Sequence, residues 1–240
     1  MTNAAVHIIM PVKDSIETAE QAIRAITGSG YTLTVYDDYS SPENAARLDA
    51  IAAEQGIEVL HLADMTAHPS PNYRTVLIHA QGRAIEAGAH LLIVESDVIV
   101  QPDTISRMID AMQHGAGSPD ERIGMVAAVT HDAEGKVNFP YEYARRLHTD
   151  GPCRKRLSFC CTMLSNSLLH ALPFDTLNPE KNWYDVYISH QSVRLGLTNI
   201  LQVTNPVLHM PHSSRPWKQL KYTHPLLYYW RKITRRLDKI

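Results

Sequence analysis

Residues 6–131 alternate between short apolar runs and amphipathic stretches, and that alternation restricts the fold more than any other feature of the chain. The apolar runs are VHIIMPV (6–12), TLTVYDD (32–38), IEVLHLA (57–63), HLLIVES (90–96) and IGMVAAVTH (123–131). Each is short and rich in Val, Ile and Leu, the pattern of a buried strand. The stretches between them have helix periodicity and helix punctuation. In 13–30, Asp14 stands three residues before Glu17 as in a capping box, apolar residues recur at Ala19, Ile23 and Ile26, and Gly28 stops the run. In 41–56, Ser41 is placed to cap, Pro42 to open the first turn and Gly56 to end the helix. Residues 74–89 make a third helix, and Pro102 opens a fourth over 102–115. Strands that alternate with helices of about 10–15 residues predict βαβ units. The fold class expected is therefore α/β: an open mixed sheet, mostly parallel, flanked by helices.

The second half is less regular. A polar, basic connection (133–157) leads to an apolar, small-residue stretch, SFCCTMLSN (158–166). WYDVYISHQSVRLG (183–196) has helix spacing, and NILQVTNPVLHM (199–210) reads as a pair of strands. At 240 residues, one domain with a short appendage is expected: a body over 1–214 and a tail over 215–240.

In open α/β sheets ligands bind beyond the carboxyl ends of the strands, and acidic residues collect there: Asp14, then Asp37 and Asp38, then Glu95 and Asp97. In HLLIVESDVIVQPDTI (90–105) an apolar run is broken by Glu95, Ser96 and Asp97. Carboxylates beside buried apolar residues are costly unless something positive lies against them. The two-residue strand period directs Glu95 and Asp97 the same way. Hard divalent cations take such oxygen ligands together with substrate phosphates, so a metal-bound diphosphate would supply the positive partner. An exposed acidic turn would carry the same residues. Asp37 and Asp38 can accept hydrogen bonds from a ribose or a base, or cap the turn ahead of the next helix. No glycine-rich loop follows the first strand, which argues against a dinucleotide fold and against a P-loop.

Charge is unevenly spread. The tail from Arg215 carries eight Lys or Arg and one acid, for +7, whereas the body is at −9. The tail mixes those charges with Trp217, Tyr222, Tyr228, Tyr229 and Trp230, a composition suited to an anionic membrane interface. A helix packing its rings on the body would use the same residues. A body at −9 would repel phosphate, so nucleic acid is not expected as a partner. The three cysteines, Cys153, Cys160 and Cys161, have no metal-ligand spacing and no even pairing. The first residues lack a signal-peptide pattern, and no run is long enough to span a bilayer, so a cytoplasmic protein is expected.

Taken in order, IIMPVKD, TVYDDYSSPEN and RAIEAGAHLLIVESDVIVQPDTI resemble the nucleotide-binding half of glycosyltransferase family 2 enzymes of the GT-A fold. In that family the second strand ends in an Asp-Asp-Gly-Ser type turn, and an Asp-x-Asp motif follows a later strand. Here the turn lacks its glycine, at Tyr39, and the metal motif begins with Glu95. FCCTMLSNSLLHALPFD resembles the family's acceptor segment without its usual glycine pair. WYDVYISHQSVRLGL resembles its Glu-Asp helix start, with Tyr184 for the Glu and Asp185 retained.

The resemblance implies an inverting transferase that moves one sugar from a nucleotide-diphosphate sugar, expected to be a UDP-sugar, to a glycan or lipid-linked acceptor at the inner face of a membrane. It implies Pro11, Asp14, Asp37, Asp38, Arg74, Arg83 and Ser96 around the nucleotide sugar. Mn²⁺ or Mg²⁺ falls to Asp97, with Glu95 behind it and a histidine opposite. His209, which ends the strand run NPVL, is preferred to His212. Asp185 becomes the general base. QSVRLG resembles the Gln-x-x-Arg-Trp signature of processive synthases but lacks the Trp, which favours one sugar per event. Two rivals remain: a sugar nucleotidyltransferase, which would want a basic glycine-rich loop where PVKDSIET stands, and a non-catalytic nucleotide- or glycan-binding module.

Overall fold

The computed structural model describes residues 5–115, 122–180, 183–210 and 224–234. The chain divides into two compact units, Met1–Met210 and Pro211–Ile240.

The first unit is built on a sheet whose strands among the described residues are β1 (Val6–Val12), β2 (Thr34–Asp37), β3 (Glu58–His61), β4 (His90–Val94), β5 (Val98–Ile99), β6 (Ile123–His131), β7 (Gly151–Pro152), β8 (Cys161–Leu164) and β9 (Thr198–His209). Their order across the sheet is β3-β2-β1-β4-β8-β6-β9-β5, with β7 also paired to β9. The β3-β2-β1-β4 half is parallel throughout, as its helical crossovers require. β8 then runs antiparallel between β4 and β6, and β9 returns parallel to β6. The expected α/β class and mostly parallel mixed sheet are found. β8 corrects the undivided reading of 158–166, where a four-residue strand is followed by a helix capped by Ser165.

The helices are α1 (Ile16–Gly28), α2 (Pro42–Gln55), α3 (Tyr73–Glu86), α4 (Thr104–His114), α5 (Asn166–Ala171) and α6 (Tyr184–Arg194). Alternate strand residues feed two cores. Ile8, Met10, Leu92 and Val94 pack with α1, α2 and α4 on one face, while Ile9, Leu91 and Ile93 pack with α3, α5 and α6 on the other. This two-sided burial explains why the central strands read as continuous apolar runs.

α2 starts and stops as its punctuation predicts. The Ser41 hydroxyl accepts from the Asn44 N–H, Pro42 is the first helical residue, and Gly56 takes φ 65° at the end. α1 does not. Ser15, not Asp14, precedes it, and there is no side-chain cap. Asp14 instead adopts φ 55° and turns its carboxylate to the Ser41 N–H at 2.7 Å and the Asn44 amide at 3.2 Å. The tertiary contact outcompetes the local capping box. The run 199–210 is one strand rather than two. Its register on β6 shifts between Ala128 and Thr130, where Pro206 lacks a ladder N–H.

Gly124 of β6 lets α6 approach the sheet: a Cβ there would lie 2.0 Å from Ser192 Oγ and 2.9 Å from Leu197 Cβ. Gly124→Ala is therefore expected to cost about 1–3 kcal/mol, by displacing Ser192 from its 2.6 Å bond to Asn199. Denaturant titration checks it, and an unchanged midpoint would show that α6 can shift at no cost.

The second unit contains one described helix, α7 (Pro225–Thr234). No helix among the described residues is long and apolar enough to cross a membrane.

Candidate active site

β1, β2 and β4 run parallel, so the loops after them lie side by side at one edge of the sheet. After β2, the Asp37 carboxylate accepts from the Ser40 N–H at 3.1 Å, closing the turn, and meets His61 Nδ1 at 2.9 Å. His61 also reaches Asp49 at 3.0 Å. The hydrogen bond to Asp37 raises the His61 pKa, burial opposes it, and Asp49 adds to the rise. Asp38 takes three hydrogen bonds from the loop before α3: Ser70 Oγ at 2.7 Å, the Asn72 N–H at 2.9 Å and the Asn72 amide at 2.9 Å. Both carboxylates therefore have protein partners that hold the turn. Tyr39, where the resembled turn has glycine, is left-handed at φ 61°. That conformation is costly for a side chain bearing a Cβ. Lys13 Nζ at 3.0 Å from the Tyr39 carbonyl and a hydrogen bond from the Tyr39 hydroxyl to the Thr66 carbonyl hold it in place.

The expected metal motif, Glu95 to Asp97, follows β4 as a turn rather than as extended strand, with the Val98 N–H bonded to the Glu95 carbonyl. β5 then pairs antiparallel with the end of β9, Val98 opposite His209, and the Met210 N–H bonds to the Asp97 carbonyl at 2.8 Å. This short pairing brings Asp97 to His209: Oδ2 lies 3.6 Å from Nε2, with Asp97 8% and His209 5% exposed. A strand-end acid in an exposed turn is thereby ruled out. Ser96 is buried within the same turn.

The other ring nitrogen, Nδ1, lies 2.9 Å from the Phe139 carbonyl, which can only accept, so Nδ1 carries a proton, and in the neutral ring Nε2 presents a lone pair toward the carboxylate. Two acceptors facing each other in a buried place call for a proton or a cation between them. Burial works against a charged His209, but the hydrogen bond and charge of Asp97, with Glu95 and the Phe139 carbonyl, prevail and raise its pKa. A backbone carbonyl that orients a histidine for metal through its other nitrogen is a common arrangement around bound ions. The donor set fits a divalent cation on these grounds.

Glu95, expected behind Asp97, is grouped with Cys160 and His209. One of its carboxylate oxygens, Cys160 Sγ and a ring nitrogen of His209 all lie within 4.8 Å of one another. Cys160 arrives because β8 runs antiparallel to β4. Val94 opposes Cys161, so the next step opposes Glu95 to Cys160, joined by a 2.9 Å backbone hydrogen bond. Strand pairing brought together residues 65 apart, and no spacing of cysteines could have shown it.

Asp185 sits in the first turn of α6, half-buried. Burial above all, and then the charge of Glu95, raise its pKa to about 6, against hydrogen bonding by the Val186 N–H and the charge of Arg156. The Arg156 guanidinium lies 5.9 Å from the ring centroids of both Phe139 and Trp183. The sequence reading did not single out Arg156, and the basic run Arg154, Lys155, Arg156 was the one available signal.

The remaining expected residues divide. Pro11 lies on β1 opposite Tyr36, close to these loops. Arg74 donates to the carbonyls of Leu177, at 2.8 Å, and Asp175. It ties α3 to the 3₁₀ turn Phe174–Thr176. Arg83 is not brought to the site: it pairs with Glu58 beside Thr34, at the opposite end of β2, about 13 Å along α3 from Arg74. His212 lies outside the described residues. Arg194, of the partial synthase signature, is exposed at the end of α6.

A family model described as Glycosyl transferase family 2 matches residues 7–172. Asp185 and His209 fall beyond the matched span. No curated protein matches the chain. Among solved structures, it is similar to the mannosyltransferase PcManGT from Pyrobaculum calidifontis in complex with GDP-Man and Mn²⁺, at 13% identity and a TM-score of 0.61, covering 98% of this chain and 65% of that one. It is also similar to glucosyl-3-phosphoglycerate synthase from Mycobacterium tuberculosis in complex with Mn²⁺ and UDP-glucose, at 18% identity and a TM-score of 0.56, covering 90% and 74%. The chain thus spans about two thirds of the mannosyltransferase's length. Identities this low speak for the fold.

Proposed function

The chain belongs to glycosyl transferase family 2, and we propose that it is an inverting enzyme that moves one sugar from a nucleotide-diphosphate sugar to a glycan or lipid-linked acceptor, with Asp185 as the base. One juxtaposition carries the reading. A carboxyl with a pKa near 6 lies within electrostatic reach of Glu95, which lies with His209 in a group of side chains able to hold a divalent ion. A base of that pKa is charged at neutral pH yet basic enough to take a hydroxyl proton. Asp185 accepts the acceptor's proton as its oxygen attacks the anomeric carbon, on the face away from the departing diphosphate. Glu95, Asp97 and His209 would hold Mn²⁺ or Mg²⁺, which when bound offsets charge on the leaving diphosphate.

Pro11, Asp14 and Ser96 wall the nucleotide side. Asp37 and Asp38 act there by fixing the turn and the loop before α3, since protein donors already engage their carboxylates. Arg156, between Phe139 and Trp183, offers a cation beside the base. The bound GDP-Man and UDP-glucose of the similar structures support a nucleotide-sugar donor. The test is nucleotide diphosphate release from a panel of UDP- and GDP-sugars, with and without Mn²⁺. Release from none of them, in the presence of glycan and lipid-linked acceptors, would overturn the reading.

The tail is assigned to an anionic membrane surface. Within α7, Leu226, Leu227, Tyr229 and Trp230 are exposed, and the tail carries +7. Each basic residue near anionic lipid contributes about 1 kcal/mol, screened by salt. Removing 215–240 should abolish sedimentation with anionic vesicles, and raised salt should release the full chain. Transfer to a short water-soluble acceptor should survive, because no residue assigned to the site lies in the tail. Unfolding on truncation would instead place those rings in a core.

A further inference from the structure

The ion-binding cluster contains one donor that the proposed reaction does not use. Cys160 is 2% exposed, and its Sγ lies 3.3 Å from Glu95 Oε2, in the same group as His209. Around one tetrahedral ion, bond lengths of about 2.0–2.3 Å place neighbouring ligand atoms about 3.4–3.6 Å apart. The Cys160–Glu95 separation is already close to that, and the backbone bond from Glu95 N–H to the Cys160 carbonyl fixes it. Two overlapping donor sets therefore share His209. Asp97 faces it with an oxygen at 3.6 Å; Glu95 and Cys160 join it with an oxygen and a sulfur within 4.8 Å.

We propose that Cys160 makes this centre thiophilic: it binds Zn²⁺ through Glu95, Cys160 and His209 in preference to Mg²⁺ or Mn²⁺, and Zn²⁺ so bound competes with the ion that serves the diphosphate. Mg²⁺ and Mn²⁺ favour oxygen-rich surroundings, whereas a thiolate beside imidazole selects zinc-like ions. Binding forms a Zn–S bond and breaks the S–H bond, and one proton leaves to solvent for each ion bound. Without an ion, burial and the neighbouring Glu95 keep the thiol protonated, so the cost of removing that proton tempers the affinity. The competition with Mn²⁺ or Mg²⁺ for transfer rests on the proposed function; the ion preference does not.

The full chain, stripped of metal by chelator, is titrated with Co²⁺ as a spectroscopic substitute for zinc. The expected result is a thiolate-to-cobalt charge-transfer band that Zn²⁺ bleaches. The band is lost in Cys160→Ser and kept in Cys153→Ser, which controls for the half-buried thiol. Zn²⁺ affinity should fall at least about tenfold in Cys160→Ser, while Mn²⁺ binding, followed by loss of the free-ion paramagnetic resonance signal, stays as in the wild type and shows that the fold is intact. Absence of the band in the wild type overturns the proposal without reference to any variant, and so does a band that survives Cys160→Ser. If the band behaves as expected but no nucleotide sugar is turned over, the functional reading fails and the ion preference stands.

Discussion

Asp97→Asn should lower metal-stimulated turnover by at least about 10²–10³-fold while the protein stays folded. That is the span seen when one group that stabilises developing charge is removed from an enclosed site. Asn matches Asp in shape, and the Asp97 carbonyl keeps its bond to the Met210 N–H, so the short β5–β9 pairing is retained. What is lost is the negative charge facing His209 Nε2 at 3.6 Å. Turnover at saturating Mn²⁺ and a thermal melt check both halves, and near wild-type activity would remove Asp97 from the ion site. Glu95→Gln should cost a loss of the same order rather than a lesser one, because the Glu95 carboxylate lies in the cluster with His209.

Asp185→Asn should reduce transfer by about 10²–10⁴-fold with donor affinity almost unchanged. The base works as a carboxylate, so wild-type turnover should fall as pH drops through about 6, and that acid limb should be missing from the residual activity of the variant. Stability should move the opposite way. A carboxyl whose folded pKa lies above its unfolded value costs the fold most when charged, above about 6, and nothing when protonated in both states, below about 4. The neutral variant should therefore be the more stable protein at pH 8, by up to about 3 kcal/mol, and not at pH 3. Calorimetry of donor binding decides the role: if affinity falls as far as turnover, Asp185 binds rather than catalyses.

Local chemistry along the chain was enough for the α/β class, for the Ser41–Pro42 start and Gly56 end of α2, and for the set of strand ends at which acids collect. Each is decided within a few residues, by side-chain periodicity or by backbone groups that a neighbour must satisfy. Asp14 shows the limit. Its spacing to Glu17 is that of a capping box, yet its carboxylate bonds to the Ser41 N–H and the Asn44 amide, 27 and 30 residues away. Asp38, positioned as a ligand for nucleotide, is occupied by Ser70 and Asn72 of a loop brought in by the start of α3. Arg83 occupies the same helix as Arg74, but at the opposite end of β2 from the site, where it meets Glu58.

The make-up of the proposed ion site depends on strand pairing. A run such as SFCCTMLSN has the same two-residue side-chain period whether it pairs parallel or antiparallel, and with whichever strand it joins. Only the insertion of β8 antiparallel beside β4 sets Cys160 across from Glu95, and only the β5–β9 contact sets Asp97 against His209. Residue types and local periodicity are written in the sequence one position at a time. Which side chains share a buried space depends on register between strands far apart in the chain, and that is decided when the whole sheet closes over its two cores.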